Sequence, residues 1–577
     1  MDTGPNPAAN GTICSTDYVC NDGNCQHCVA NAACTPTNAC HAGATSCATG
    51  TSVCVDTGTN APNYTSCGSG NVCQSGSCVA CVSGGACTPA DPCQRGTFDC
   101  ASSTCVAQGA NPALAGMACG TSGMGTCTSG QCVCPAGEGF TQGDCQACPQ
   151  YIATVYVNAN PSIGADGACC GATQTAGFGG PCLTITNALT HVMGSYWQVH
   201  VTGDANGNAS SSETYPIALS NNVNVVGAAC VPGVSGVPVF TATTDTSAVE
   251  IQGLRVGSTC AGVASGASAA VLVGATPSGR PGSALISGAT LSGTRDGVDV
   301  SAGGTVNLVT GTVIHDVTND GIHCVNGTIQ TGTFLMNTLT IHHAGAHDIF
   351  AGDGCTARSI ELALGVAAPC PATRPDDYGL WLEGGAFVSW FGTISCMNHD
   401  GVSLRNNGTS TSTPYVANLN GTISHCGCAG LYAEIGTASV YATTFTHDHW
   451  GVLQRTAATT GTIINLNAGT NGANTFTCNS ETEPGACCTS SSCPRGFDVW
   501  NDSSLALDAS GNHWDDAPPS HCTCNAMLAS CACTGAAAGM TTPPSDTSVV
   551  DSPHVSGAAG VTNTANATAV SPASGCF

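Results

Sequence analysis

Glu383, Arg405, Glu434 and Arg455 succeed one another at intervals of 22, 29 and 21 residues, each four places beyond a glycine. Two places before them stand Trp381, Ser403, Tyr432 and Leu453, and the same column runs back through Phe350, His323 and Asp299. If these segments stack, carboxylates alternate with guanidinium groups beside a row of flat rings. Phe350, Trp381 and Tyr432 would then pack on sugar rings while Glu383, Arg405, Glu434 and Arg455 take the hydroxyls. The competing reading is structural: exposed ion pairs contribute roughly 0–1 kcal/mol each, and the rings are roofed by loops, because bare aromatic patches are costly. Glu383 and Glu434 are the secondary candidates for catalysis. Two coils apart means about 9–10 Å at the strand spacing, the wide edge for a pair of inverting glycosidase carboxylates. His347, His399 and His449 stand one or two places before the second residue of a repeated segment and are the secondary candidates for metal. Stacked imidazoles suit zinc or copper, although turns of stacked coils also repeat polar residues for packing alone.

The elements that must position these side chains are short. Asp296-Gly297-Val298-Asp299-Val300 is followed by Asp320-Gly321-Ile322-His323-Cys324, His347-Asp348-Ile349-Phe350-Ala351 and Tyr378-Gly379-Leu380-Trp381-Leu382. Asp400-Gly401-Val402-Ser403-Leu404, Ala429-Gly430-Leu431-Tyr432-Ala433 and Trp450-Gly451-Val452-Leu453-Gln454 complete the series. Counted from the second residue of each, the steps are 24, 27, 31, 22, 29 and 21. Repeats of this size, with one strand apiece and no helical pattern between them, predict a solenoid of stacked coils. The first and third residues after each origin are nearly all aliphatic and should face inward, so the second and fourth face out. Upstream, Ala153-Thr154-Val155-Tyr156-Val157 reads as a strand. Apolar residues at 185, 188, 189, 192 and 193 keep helical period before Gly194.

This is the pattern of a right-handed parallel β-helix. Tyr156-Val157, the run from Pro181 to Leu189, Tyr215-Pro216-Ile217-Ala218-Leu219 and Val223-Asn224-Val225-Val226-Gly227 resemble the opening of an uncharacterised family of bacterial β-helix proteins of the pectin-lyase-like superfamily. The run from Leu505 to Asp515 resembles its last coil. The resemblance covers roughly residues 151–520. It implies a secreted or surface-attached protein with a cysteine-rich stalk, and it carries no activity to transfer. The polygalacturonase motifs Asn-Thr-Asp, Asp-Asp, Gly-His-Gly and Arg-Ile-Lys are missing, and no Asp cluster with an Arg suggests a calcium-dependent lyase. A periplasmic copper-associated accessory protein is similar in fold alone.

Residues 1–150 are different. Cys14, Cys20, Cys25, Cys28, Cys34, Cys40 and Cys47 recur 53 residues later as Cys67, Cys73, Cys78, Cys81, Cys87, Cys93 and Cys100, and Cys54 recurs 51 later as Cys105. A third copy begins at Cys119. The modules are expected at about 14–66, 67–118 and 119–150. With few large apolar residues between the cysteines, such modules cannot build a core. Four bridges each, at about 2–4 kcal/mol per bridge, could fold them. Zinc is the competing use of Cys25/Cys28 and Cys78/Cys81. In the solenoid, expected over 151–533, Cys355 and Cys370 bracket one insertion and are read as a local bridge. Cys478, Cys487, Cys488 and Cys493 would staple another, and residues 534–577 read as a loosely ordered tail.

The chain of 577 residues carries 42 cysteines, nine cations and 35 acidic residues, a formal charge of −26. All nine cations are arginine, so Schiff-base chemistry is excluded. The acidic balance argues against nucleic acid and anionic membrane as partners, and no apolar run is long enough for membrane insertion. The disulfide load predicts a secreted or cell-surface protein whose signal sequence has been removed. The expected function is a non-catalytic stalk and β-helix with a face for a polysaccharide or cell-surface glycan. The alternatives are an extracellular polysaccharide lyase or glycoside hydrolase, and a self-associating subunit of an appendage or matrix. No cofactor is expected; calcium, zinc or copper are the ions such ligands would take.

Overall fold

In this computed structural model the described residues run from 10 to 569, with interruptions of which 258–265, 332–338, 480–486, 488–495, 535–548 and 553–560 are the longest. The chain forms two compact units, residues 1–148 and 149–577.

The first unit is a series of small antiparallel sheets joined by sulfur. Ile13–Ser15, Tyr18–Asn21 and Asn24–His27 form one sheet, and Ser66–Gly68, Asn71–Gln74 and Ser77–Ala80 form its copy. Each repeat closes three bridges of its own: Cys14–Cys25, Cys28–Cys47 and Cys34–Cys54, then Cys67–Cys78, Cys81–Cys100 and Cys87–Cys105. The fourth bridge is not internal. Cys40 reaches forward to Cys73, and Cys93 to Cys127. This corrects the expectation of four closed bridges per module. It also corrects Cys20, which has no bridge. Its counterparts Cys73 and Cys127 each take their partner from the repeat before them, and none of the described repeats precedes Cys20. The few buried apolar residues here, such as Val19 with Cys28 and Cys47, are too small a cluster to fold without cross-links.

The second unit is a parallel β-solenoid. Among its described residues the α-helix is Ile185–Thr190, capped by the Thr184 hydroxyl, which accepts from Asn187 N. Glu213 accepts from Ile185 N and Thr186 N at the same helix start. The helix buries Ile185 and Ala188 against the solenoid core. Among the described residues the solenoid has two sheets, one of 14 strands and one of 22, parallel except where Cys531–Thr534 runs antiparallel to His521–Cys524. The seven repeated segments are adjacent rungs of the 14-stranded sheet. Val298, Ile322, Ile349, Leu380, Val402, Leu431 and Val452 lie in a single register column and are buried. The larger sheet was less legible. Each coil adds a second strand there, or two, merging into long runs at Thr356–Gly365, Phe387–Ser395, Tyr415–Ser424 and Gly436–Thr446.

The recurrent glycine has a steric cause. A Cβ on Gly401 would lie 2.7 Å from Gly430 O, and one on Gly379 2.6 Å from Gly401 O. The next coil's backbone occupies that space. The exception is Asp348, whose fully buried carboxyl stands beside that of Asp376. A second recurrent feature lies at the ends of the larger sheet's strands, inside the last strand of a coil or just after it. Asp316, His343, Cys396, His425 and His447 all have φ between 51° and 64°. Asp and His are among the side chains that tolerate this left-handed region. Three of the nine histidines between His315 and His449 therefore hold this left-handed backbone conformation.

Two more sulfur expectations change. Cys355 pairs with the inward-facing Cys324 of the coil before it, and Cys370 pairs with Cys396. Stacking places Cys324 and Cys355 in the same buried layer, both 0% exposed, which the linear spacing of 355 and 370 conceals. Cys487 is tied to Cys428, while Cys488 and Cys493 lie outside the described residues. The segment expected as a loose tail supplies coil strands instead: Val549–Ser552 joins the smaller sheet, Thr562–Asn563 and Thr568–Ala569 the larger.

Candidate ligand-binding face

The face is built on seven strands: Asp296–Ser301 (β1), Asp320–Val325 (β2), His347–Ala351 (β3), Tyr378–Glu383 (β4), Val402–Arg405 (β5), Ala429–Ala433 (β6) and Trp450–Thr456 (β7). In-register pairing places Asp299, His323, Phe350, Trp381, Ser403, Tyr432 and Leu453 in one outward column.

The column divides in two. Along β2 to β4 its rings remain partly exposed. His323 stacks on Phe350 with centroids 4.7 Å apart and planes within 5°. Trp381 follows Phe350 in register, and Tyr378 meets Trp381 edge-on at 4.8 Å. His347 fills the angle between them, 4.9 Å from Trp381 and 5.6 Å from Phe350. Beyond β5 the column is covered. Tyr432 is 9% exposed and Leu453 2%; both pack with Cys428, Trp450, Phe497 and the bridged hairpin of His521–Cys524 and Cys531–Thr534. The expected three-ring platform therefore keeps Phe350 and Trp381 and loses Tyr432 to a roof. Tyr378 replaces it. It was missed because it stands one place before the glycine, in register with His347.

The charged column is also rearranged. Arg405 lies in register with Glu383. Its guanidinium is 3.7 Å from the Tyr432 ring centroid and 5.2 Å from that of Trp381, and its Nη2 donates to Asp400 at 2.8 Å. Arg405 thus closes the lower edge of the ring row as a cation between two aromatic faces. Trp381 Nε1 donates to Glu383 Oε2 at 3.3 Å, which fixes the indole. Arg455 pairs with Asp502 at 3.3 Å. Glu434 is exposed and Glu383 half-buried.

At the upper edge, Asp320 accepts from His323 Nδ1 and His347 Nδ1, both at 2.7 Å. Burial raises the Asp320 carboxyl, but the two imidazole hydrogen bonds overcome it and hold it below the usual range. The same bond from Asp320 raises His323, against its own burial. Burial raises Asp299, one rung higher, and pushes the Tyr378 hydroxyl up to about 12.

The three metal candidates do not converge. His347 is held by Asp320, His399 stacks on Tyr378 at 4.8 Å, and His449 is fully buried against Trp450. Among the described residues, the groups whose ligand atoms cluster tightly enough for a metal are Cys40/Cys67/Cys78, Cys93/Cys119/Cys132 and Cys170/Cys182/His191. Every cysteine in them is bridged. A sulfur in a disulfide is not a thiolate ligand.

The bridges place the protein in an oxidising compartment. No helix among the described residues is long and apolar enough to cross a membrane. In comparison with known proteins, the chain matches no family model, no curated protein and no solved structure.

Proposed function

We propose that this is a secreted or surface-displayed, non-catalytic binding protein, of the pectin-lyase-like kind its coils resemble, and that its ligand is a polysaccharide read on the face of β2 to β4. The observation that carries the reading is the half-exposed ring row Phe350–Trp381–Tyr378, whose indole is fixed by Glu383. Aromatic rings held flat on a rigid sheet stack on sugar faces at little entropic cost. The surrounding charge selects among glycans. Glu383 and Asp377 lie beside the rings, while Arg405 is already engaged by Asp400. An uncharged or amino-bearing polymer suits that field; a polyuronate is repelled.

The test is binding of neutral, amino-sugar and galacturonate oligomers by calorimetry. Trp381→Ala is expected to weaken the preferred ligand at least about tenfold, about 1.4 kcal/mol, with an unchanged circular-dichroism spectrum. Undiminished affinity in Trp381→Ala and in Phe350→Ala would dismiss the face as a site.

A further inference from the structure

Within the first unit one interface is built twice. The hairpin of Asn71–Gln74 and Ser77–Ala80 docks on the preceding repeat through Cys40–Cys73. Asn38 accepts from Cys40 N and donates to Gly76 O at 3.2 Å. The hairpin of Gly125–Thr128 and Gln131–Val133 docks likewise through Cys93–Cys127, where Asp91 accepts from Cys93 N and from Cys132 N. Each donor is thus an Asn/Asp-x-Cys loop whose first side chain caps its own cysteine and holds the incoming hairpin.

The first repeat carries the same receiving hairpin. Cys20 faces Cys25 across it as Cys73 faces Cys78 and Cys127 faces Cys132. Asp22, Ser75 and Ser129 open the three turns with the same positive φ, 45°, 49° and 52°. The difference is cover. Cys73 and Cys127 are 0% and 5% exposed beneath their donors; Cys20 has no bridge and is only half-buried. Beside it Tyr18 is 41% and Ile13 78% exposed.

We propose that the Cys20 hairpin is a docking surface for a further disulfide-stapled repeat of this same kind, presenting an Asn/Asp-x-Cys loop with a free thiol. A second copy of this chain does not qualify, because both of its own loops are consumed by Cys73 and Cys127. The link forms by exchange with a small-molecule disulfide. The oxidant first caps Cys20 and releases one thiol. The partner's thiolate then attacks the Cys20 sulfur and expels the second, so two protein thiols are oxidised and one disulfide is reduced to two thiols.

Full-length chain can supply both halves of the test. In a donor carrying Cys20→Ser and Cys73→Ser, Cys40 becomes a free loop thiol; in a second donor, Cys20→Ser with Cys127→Ser frees Cys93. Each donor is mixed with wild-type acceptor in a glutathione redox buffer. The expected result is a disulfide-linked heterodimer on a non-reducing gel, with a Cys20–Cys40 or Cys20–Cys93 peptide by mass spectrometry. Its yield should be at least tenfold above that with a Cys20→Ser acceptor. Absence of both peptides overturns the proposal, as does wild-type protein alone forming a Cys20–Cys20 dimer in the same buffer.

Discussion

Trp514→Ala is expected to lower the stability of the solenoid's closing coils by about 3–5 kcal/mol, the usual cost of emptying a fully buried indole site. Trp514 is 0% exposed and stacks on Phe476 at 4.6 Å, which stacks in turn on Phe445 at 5.2 Å. Three successive coils therefore share one internal aromatic column. In a solenoid each coil is held mainly by its neighbours, so the loss should open the last coils first. Chemical denaturation should show an earlier first transition, and hydrogen exchange should quicken around His513–Trp514 and Thr475–Thr477. Trp514→Phe is the control. The buried Nε1 finds no acceptor among the described residues, so the smaller ring removes an unsatisfied donor along with some volume. Its cost should fall well below that of alanine. Equal losses for both would show that the column is not what holds these coils.

The second large effect concerns pH. Burial and the neighbouring Asp376 charge push the Asp348 carboxyl well above the usual range, and burial pushes Asp376 up to about 6. Both hold protons in the fold that the unfolded chain releases near pH 4. Above that pH the native state binds more protons, so raising the pH favours unfolding. His323, raised by its bond to Asp320, acts in the same direction, since its contribution is lost as pH rises through its folded value. The lowered carboxyl of Asp320 adds stability above about pH 4 and is constant beyond it. The fold should thus weaken by roughly 1–3 kcal/mol between about pH 5 and 8. Asp348→Asn removes one titrating partner and should flatten that slope. A wild-type midpoint that is level or rising over this range, or a variant with the same slope, contradicts the assignment.

The legible part of the fold was the part governed by local alternation. Val298 and its successors announce an inward column because side chains on a strand point to opposite faces in turn. The Gly at every origin but Asp348 announces a place where backbones nearly touch. Even the ring column was readable, down to the neighbours of Phe350 and Trp381. Tyr378 was not, because a residue that opens a strand looks like a turn until the register with His347 is known.

Roofing, bridging and charge partners were closed to such reading. Tyr432 is covered by a hairpin that begins about ninety residues further on, at His521. Arg405 looked like a rung between Glu383 and Glu434, yet it turns to Asp400 and lies flat on Tyr432. Cys355 seemed bound to its loop partner and instead meets Cys324 one coil back.

The amino-acid sequence alone determined a disulfide-stapled repeat unit followed by stacked coils, and which side chains on each coil face out, because period, glycine placement and cysteine spacing act within one repeat. Tertiary structure alone decided which of those outward rings stay open, which cysteines meet and which thiols are left over. Those outcomes depend on what lies one coil or one repeat away in space, a distance the linear spacing of residues does not encode.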